Sequence, residues 1–117
     1  MSTTSTIVPK LRTIPVVLGT TTSDLYTVPA NYKTTVTSIF ISNTTSSTLT
    51  FSLDWYVAST ATTYNIAELV IIDPNSFIQV ENAFYLAQND KLKGLASAGS
   101  SVSVFITVDE AFYPVQF

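Results

Sequence analysis

The stretch that decides the fold class is residues 48–57, which read T-L-T-F-S-L-D-W-Y-V. Large apolar side chains occupy every second position, and the positions between them are mostly polar. A β-strand sends successive side chains to opposite faces, so the pattern predicts one buried face and one exposed face. A helix turns by about 100° per residue and would scatter the same side chains around its axis. The side chains predicted to point into a core are Leu49, Phe51, Leu53, Trp55 and Val57.

Further strand-like segments lie on both sides of this one, separated by turn signals such as Asp73-Pro74-Asn75. Strands that recur about every 8–12 residues are typical of a sandwich or a jelly roll. We therefore predict an all-β protein, an antiparallel β-sandwich of jelly-roll-like form with about eight strands and extended N- and C-terminal arms. The predicted strands are residues 16–18, 25–28, 33–43, 48–57, 64–72, 76–81, 91–96 and 101–108.

The segment at residues 33–43 carries apolar side chains on both faces. Strict alternation places Ile39 and Ile41 on one face, and Val36 and Phe40 on the other. A strand with two apolar faces is typical of a central position with a second covered surface. We therefore predict that this strand is central and that Phe40 and Val36 point the same way.

The chain divides into three predicted regions: an extended N-terminal arm at 1–13, a β-sandwich domain at 14–108 and an aromatic C-terminal tail at 109–117. Free termini usually carry small polar residues, so an aromatic tail is expected to pack against something. That something is either its own domain or a neighbouring subunit, where Tyr and Phe are favoured anchors. The candidate interface residues are Ile7, Val8, Tyr56, Tyr64, Phe112, Tyr113, Val115 and Phe117.

Charge is scarce in this 117-residue chain. Charged residues make up 11% of it, against about 25% in typical soluble domains, and the net charge is −3. Five basic residues form no stripe that could neutralise a phosphate backbone, so we expect no nucleic-acid partner. A surface this poor in charge indicates extensive cover by protein partners, although a Thr-rich β-domain can also tolerate low charge.

The sequence predicts no membrane segment and no secretory signal. Its longest apolar run, near residues 67–72, is short and contains Glu68. The N-terminus M-S-T-T-S-T has neither a basic region nor an apolar one. There is no cysteine, so we expect no disulfide and no thiolate metal site.

The sequence shows no recognisable set of catalytic residues. The chain has no histidine, which removes Ser-His-Asp and Cys-His arrangements and the commonest metal ligand. The acidic residues are scattered; a carboxylate pair stays open, but Asp54 and Glu68 fit solvated positions on a strand. The turn containing Asn89 and Asp90 lacks the spacing of a calcium loop. We therefore predict no enzyme, no catalytic residue, no cofactor and no metal.

Carbohydrate binding is an alternative of another class. Trp55, Tyr56 and Tyr64 could in principle form a platform on which a sugar stacks. Trp55 shares its face with Leu53 and is predicted to lie in the core instead. Tyr56 and Tyr64 remain as candidates for a surface contact.

Residues 25–55, L-Y-T-V-P-A-N-Y-K-T-T-V-T-S-I-F-I-S-N-T-T-S-S-T-L-T-F-S-L-D-W, resemble a pattern of small virion proteins of tailed bacteriophages. In those proteins a "Y-T-V-P-A" strand and turn precedes a strand ending in "I-x-x-S-N-T" and a Thr-rich hairpin. Residues 86–93 are similar to their "L-x-x-x-D-x-L-K-x" segment, and residues 102–108 to their final Val-rich strand. The likeness covers about residues 18–108.

This resemblance implies a β-sandwich subunit of a virion, either a capsid decoration (cement) protein or a component of the tail, baseplate or fibre. Such proteins commonly form homo-oligomers, often trimers, and no catalytic residue travels with the likeness. The expected partners are copies of the chain itself and other virion proteins, first the major capsid protein. The expected location is the virion, with the capsid surface preferred over the tail.

Overall fold

The computed structural model describes residues 10–112, which form nine antiparallel strands. Among these residues no helix is long and apolar enough to cross a membrane. The strands are β1 (Lys10–Val17), β2 (Ser23–Thr27), β3 (Tyr32–Asn43), β4 (Leu49–Val57), β5 (Thr62–Ile72), β6 (Ser76–Val80), β7 (Phe84–Leu86), β8 (Lys91–Ala96) and β9 (Val102–Phe112).

Two sheets make up the sandwich, and their strand orders define its topology. One sheet runs β1-β9-β3-β6 and the other runs β2-β8-β4-β5. These are the orders of an eight-stranded jelly roll, in which two Greek keys close into a sandwich. The ninth strand, β7, pairs with β3 on the edge that β6 also uses. The predicted all-β antiparallel sandwich is confirmed.

The core lies between the sheets and is built from the alternation seen in the sequence. In β4, Leu49, Phe51 and Leu53 are buried, and Trp55 packs against the core from a half-buried position. Each large apolar side chain removed from water in this way contributes about 1.5–3 kcal/mol before the entropy of ordering is subtracted. The facing stripe of β9 is also fully buried and consists of Val102, Val104, Ile106 and Val108.

The face assignment predicted for residues 33–43 is wrong, because β3 contains a bulge. Its register against β9 shifts between Val36 and Ser38, so one extra residue lies in β3. A bulge reverses the alternation beyond it. Val36 therefore shares the buried face with Ile39 and Ile41, and Phe40 points to the outside.

The first and last described strands are neighbours at one end of the sandwich. Lys10 pairs with Glu110, and β9 continues to Phe112, which pairs with Tyr32 of β3. Residues 10–13 and 109–112 thus belong to strands, whereas the sequence pattern places them in the two terminal regions. Strand β1 is an edge strand and contains Pro15, which suits a residue without a backbone donor.

Candidate functional site

The outer face of the sheet β1-β9-β3-β6 carries a group of aromatic side chains that pack on one another. The Phe40 ring stacks on Phe77 with centroids 4.8 Å apart and meets Phe105 edge-on at 6.0 Å. Pro15 lies beside Phe105 in the next strand, and Val17 lies one row further along. We call Pro15, Val17, Phe40, Phe77 and Phe105 the aromatic patch. Phe77 is 59% exposed and Val17 is 57% exposed, so the patch faces solvent in the single chain.

Among the residues described as paired in these four strands, no charged side chain lies between the patch side chains. The residues between and beside the patch side chains are small or neutral: Thr13, Ser38, Ser42, Gln79, Ser103 and Thr107. Contiguous apolar surface on a soluble chain marks an interaction site, and charged residues are depleted at interface cores. The patch therefore has the chemistry of a protein–protein contact.

The opposite outer face, on the sheet β2-β8-β4-β5, carries a smaller apolar group. Leu69 is 64% exposed and Ile71 is 62% exposed, and Leu95 lies across β4 from them. We call these three residues the aliphatic ridge. Leu69 has a positive φ of 53° at a register shift between β4 and β5, and its backbone N–H donates to Ser52 Oγ at 2.9 Å.

Charged groups occupy much of the same face and reach the border of the aliphatic ridge. Lys91 Nζ and Lys93 Nζ lie 3.0 and 3.2 Å from the carboxylate of Asp24. Hydrogen bonds from both lysines hold the pKa of the Asp24 carboxyl below its usual range. Lys93 also lies over the ring of Tyr56, 5.7 Å from its centroid, so this candidate residue is half-covered by its own chain.

A cleft opens between the two sheets along β5 and β6. Its volume is about 480 Å³, and its walls are core side chains including Phe51, Trp55 and Phe84. Tyr64 lies on the rim and pairs with Trp55, so both side chains face the inside of the sheet. Tyr56 lies on the outside of that sheet. The structure therefore places Tyr56 and Tyr64 on different faces of their sheet.

A buried polar cluster closes the sandwich at the end where the described chain begins and ends. Arg12 donates two hydrogen bonds to the Glu110 carboxylate, at 2.9 and 3.0 Å, from the neighbouring strand. Tyr26, from the other sheet, donates a short hydrogen bond to Glu110 and lies 2.8 Å from Thr34 Oγ1. Because Tyr26 belongs to one sheet and Glu110 to the other, the cluster ties the two sheets together.

The electrostatics of this cluster favour an ionised glutamate. Burial opposes ionisation of Glu110, but hydrogen bonds from Arg12 and Tyr26 outweigh it and hold the pKa of the carboxyl below its usual value. Burial and the neighbouring carboxylate raise the pKa of the Tyr26 hydroxyl. The tyrosine thus stays protonated and keeps donating to Glu110.

Asp90 is a second buried acid, and it accepts hydrogen bonds from donors of its own chain. Its carboxylate accepts from the Trp55 indole at 3.2 Å and from the backbone N–H groups of Ala58 and Ala87 at 3.0 and 3.1 Å. These bonds join two loops to β4. The Asp90 carboxylate therefore has a structural role, because its hydrogen bonds fix the turn at residues 89–90 to the neighbouring segments.

The remaining described acids show no arrangement typical of catalysis. Asn65 donates to Asp54 at 3.0 Å and to Glu68 at 3.1 Å, and both acceptors lie on the solvent side of their sheet. Within residues 10–112, no group of three or more acidic side chains could hold a metal ion.

Of the candidate interface residues at the termini, the structure describes Phe112. Its ring meets Tyr32 of its own sheet edge-on, with centroids 5.4 Å apart. Ile7, Val8, Tyr113, Val115 and Phe117 lie outside the described residues.

The aromatic patch and the aliphatic ridge were not among the residues predicted from the sequence. Phe105 offered a signal, because it is the one large apolar residue on the outward parity of residues 101–108. Phe40 offered none, because the bulge in β3 sets the face to which it points.

Together these features define the chain as a jelly-roll sandwich with apolar patches on both outer faces. No protein-family model matches it, and no curated protein matches it either. Among solved structures, a chain from Bacillus endospore appendages, a novel family of disulfide-linked pili, is similar with a TM-score of 0.55. The sequence identity is 14%, and the match covers 97% of each chain.

Two crystal structures of a pentameric capsid protein isolated from metagenomic phage sequences are also similar. Their TM-scores are 0.44 and 0.45 at 18% identity, covering 90% of this chain and 67% and 68% of theirs. Likeness at such identity concerns the fold alone. The present sequence contains no cysteine and therefore supplies no thiol for a disulfide link.

Proposed function

We propose that this chain is a non-enzymatic structural subunit of a tailed-bacteriophage particle, and specifically a capsid decoration (cement) protein. It forms a homo-oligomer, in this proposal a trimer, on the capsid surface and contacts the major capsid protein. The observation that carries an assembly role is the exposed, uncharged aromatic patch, which a chain working alone would keep smaller. The virion context is supported by the sequence resemblance over residues 18–108.

The proposal involves two kinds of contact, one between copies of the chain and one with capsid subunits. The sandwich associates through the outer face of β1-β9-β3-β6, where burial of Phe77 and Phe105 supplies affinity. The terminal segments reach neighbouring capsid subunits. Many weak contacts on a regular lattice then add up to firm attachment. The contact residues proposed for these segments are Ile7 and Val8 on one side and Tyr113, Val115 and Phe117 on the other.

Quantitative mass spectrometry of purified virions tests this function directly. A cement protein is expected at a copy number close to that of the major capsid protein. A copy number of tens or fewer per particle would assign the chain to the tail, baseplate or fibre instead. Absence from the particle would refute both virion roles.

A further inference from the structure

We infer that the cleft between β5 and β6 receives residues 113–117 of a second copy of this chain as an added strand. The inference rests on the proposed oligomer and names the contact that joins one copy to the next. It assigns residues 113–117 to the contact between copies and leaves Ile7 and Val8 as the proposed contact with the capsid. Four observations support it: the exposed core at the cleft, the free strand edges beside it, the pattern of the segment and the reach of the segment.

The cleft is the place where the single chain leaves its core open. The side chains that line it pack against the core but stay partly exposed, and they include Trp55, Ile66, Val70, Ile78 and Val80. At the opposite edge of the sandwich, Leu25 and Tyr26 of β2 are buried. Further burial of partly exposed apolar side chains is favourable in proportion to the area removed from water. An apolar occupant would therefore complete the core on this side.

The chemistry of the cleft selects an uncharged occupant. Within the part of the chain that the structure describes, its lining contains no charged side chain, and its polar groups are the Tyr64 hydroxyl and the amides of Asn65 and Asn82. Its volume of about 480 Å³ is enough for several side chains. The segment at residues 113–117 reads Y-P-V-Q-F and has no charged side chain.

Free strand edges on both sides of the cleft favour an extended peptide over a compact ligand. Strands β5 and β6 are the last strands of their sheets on this side. Among the described residues, β5 pairs with β4 alone and β6 with β3 alone. Their other edges therefore carry main-chain donors and acceptors without a strand partner. An added strand uses such groups for affinity and places alternate side chains in the pockets below it.

Residues 113–117 have the pattern and the length of such a strand. An extended backbone places Tyr113, Val115 and Phe117 on one face, and Pro114 and Gln116 on the other. Proline has no backbone donor, which suits a strand that itself becomes the new edge of a sheet. The first and last Cα atoms of this segment would lie about 13 Å apart, as do those of residues 51 and 55 of β4, which line the cleft.

The reach of the segment indicates that it comes from a second copy. Phe112 pairs with Tyr32, and Phe84 at the near end of the cleft pairs with Val36, so Phe112 and Phe84 lie about 16 Å apart across the sheet. Five extended residues reach at most about 18 Å. Within one chain, only the end of the segment could approach the cleft, and most of its apolar side chains would stay outside. A neighbouring copy has no such limit.

This contact is compatible with the proposed trimer. Each copy offers one segment and one cleft, so the contact runs head to tail, and a rotation of one third of a turn between copies closes it into a ring. Every segment and every cleft is then occupied. Loss of the contact would also remove the multivalent attachment on which firm capsid binding depends.

The absence of native cysteine allows this contact to be tested by site-specific crosslinking. Gln116→Cys places a thiol on the segment without removing an apolar side chain, and Asn82→Cys places one at the exposed rim of the cleft. The two full-length variants are co-expressed, one carrying a mass tag, and treated with a short thiol-to-thiol crosslinker. The matched control replaces Asn82→Cys by Thr21→Cys, an exposed position between β1 and β2 at the opposite edge of the sandwich.

The expected result is a mixed Gln116→Cys/Asn82→Cys product in several-fold excess over the Gln116→Cys/Thr21→Cys product. Equal yields from the two pairs would overturn the inference. A chain that carries both Gln116→Cys and Asn82→Cys tests whether the segment occupies its own cleft. Crosslinks within single chains, in place of crosslinks between copies, would also overturn the inference.

Val115→Asp tests whether burial of one face of the segment drives the contact. Self-association should weaken by about tenfold or more, as for loss of an interface hot spot. Gln116→Asp puts the same charge on the other face and is the matched control, which should associate like the wild type. The emission of Trp55, the single tryptophan and part of the cleft wall, should move to longer wavelength in Val115→Asp but not in Gln116→Asp.

The outcomes separate this contact from the oligomer on which it rests. Sedimentation of the wild type across a concentration series measures association itself, and a chain that stays monomeric refutes both the oligomer and the contact. A wild type that associates while Val115→Asp associates equally well refutes the contact alone. Equal weakening in Val115→Asp and Gln116→Asp also refutes it, because charge rather than burial of one face would then be responsible.

Discussion

At the scale of single residues, Glu110 marks the point where the core changes from apolar to polar. It follows Ile106 and Val108 on the same face of β9, yet it is 4% exposed and ionised. Arg12 and Tyr26 satisfy it from two different sheets. A buried carboxylate with these partners contributes to stability only while its charge is retained.

Glu110→Gln is expected to destabilise the fold in a pH-dependent way. The folded-state pKa of Glu110 lies below its unfolded value, so its contribution is full above the unfolded pKa and is lost as pH falls through the folded pKa. We expect the free energy of unfolding to fall by about 1–3 kcal/mol at pH 7. The lower end of this range is expected, because Arg12 is half-exposed and solvent screens its interaction with Glu110.

Urea unfolding followed by the fluorescence of Trp55, the single tryptophan, measures this effect at pH 7 and at pH 3. The difference between wild type and Glu110→Gln should shrink at pH 3. Glu68→Gln on the exposed face is the control and should stay within about 0.5 kcal/mol at both pH values. A difference that is the same at both pH values would contradict an ionised Glu110.

Sequence reasoning could predict Trp55 as a core residue but not the burial of Glu110. The Trp55 assignment needs only the local alternation of β4, which the structure confirms. Glu110 is buried because Arg12, 98 positions away in the chain, pairs with it. Charge in a sequence does not reveal whether such a distant partner exists.

At the scale of secondary-structure elements, the close approach of β8 to β4 depends on Gly94. A Cβ at this position would lie 2.9 Å from the backbone oxygen of Ser52 and 3.0 Å from side-chain carbons of Leu25 and Leu53. The first of these atoms belongs to a central strand and cannot move aside without disturbing the ladder. Glycine is therefore required here by space rather than by backbone conformation.

Gly94→Ala is expected to destabilise the sandwich by about 1–3 kcal/mol through overpacking. Alanine reduces the entropy of the unfolded chain, which alone would stabilise by about 0.4–1 kcal/mol, so the sign of the change tests the steric argument. Gly19→Ala is the matched control, because nothing lies within 4 Å of its added Cβ. Chemical denaturation of both variants gives the comparison, and a Gly94→Ala chain as stable as Gly19→Ala would contradict the crowding.

Strand positions follow from the sequence more readily than the faces of those strands. Alternation and turn residues predicted β4 and β8 nearly to the residue. The bulge near Thr37 and the register shifts between β4 and β5 insert single residues, and each one reverses the faces beyond it. Whether a bulge forms depends on the neighbouring strands, so the outward direction of Phe40 could not be predicted from the local sequence.

At the scale of the whole molecule, the low charge of the chain indicated assembly, but only the structure located the apolar patches. Both patches are composed of residues from different strands, and Val17, Phe77 and Phe105 of the aromatic patch are far apart in the sequence. The low content of charged residues describes the surface as a whole and does not show which face of the sandwich is apolar. The terminal segments remain predicted contacts with other subunits.

Deletion of residues 113–117 is expected to leave the sandwich folded and to abolish binding to capsid particles. The cut follows Phe112 because Ala111 and Phe112 pair with β3 and belong to the fold. Cosedimentation with undecorated capsids measures binding, and thermal melting measures folding. A variant in which residues 113–117 become Gly-Ser-Gly-Ser-Gly controls for chain length and should fail to bind in the same way. Normal binding by either variant would show that this segment is dispensable.

The neighbouring positions of β1 and β9 have a consequence for engineering. Lys10 and Glu110 are cross-strand partners, so the start of β1 and the end of β9 lie close together. A circular permutant that links β9 to β1 and reopens the chain in the loop at residues 44–48 would carry both new ends to the opposite pole of the sandwich. Peptides displayed on such a scaffold could then be presented from either pole without altering the core.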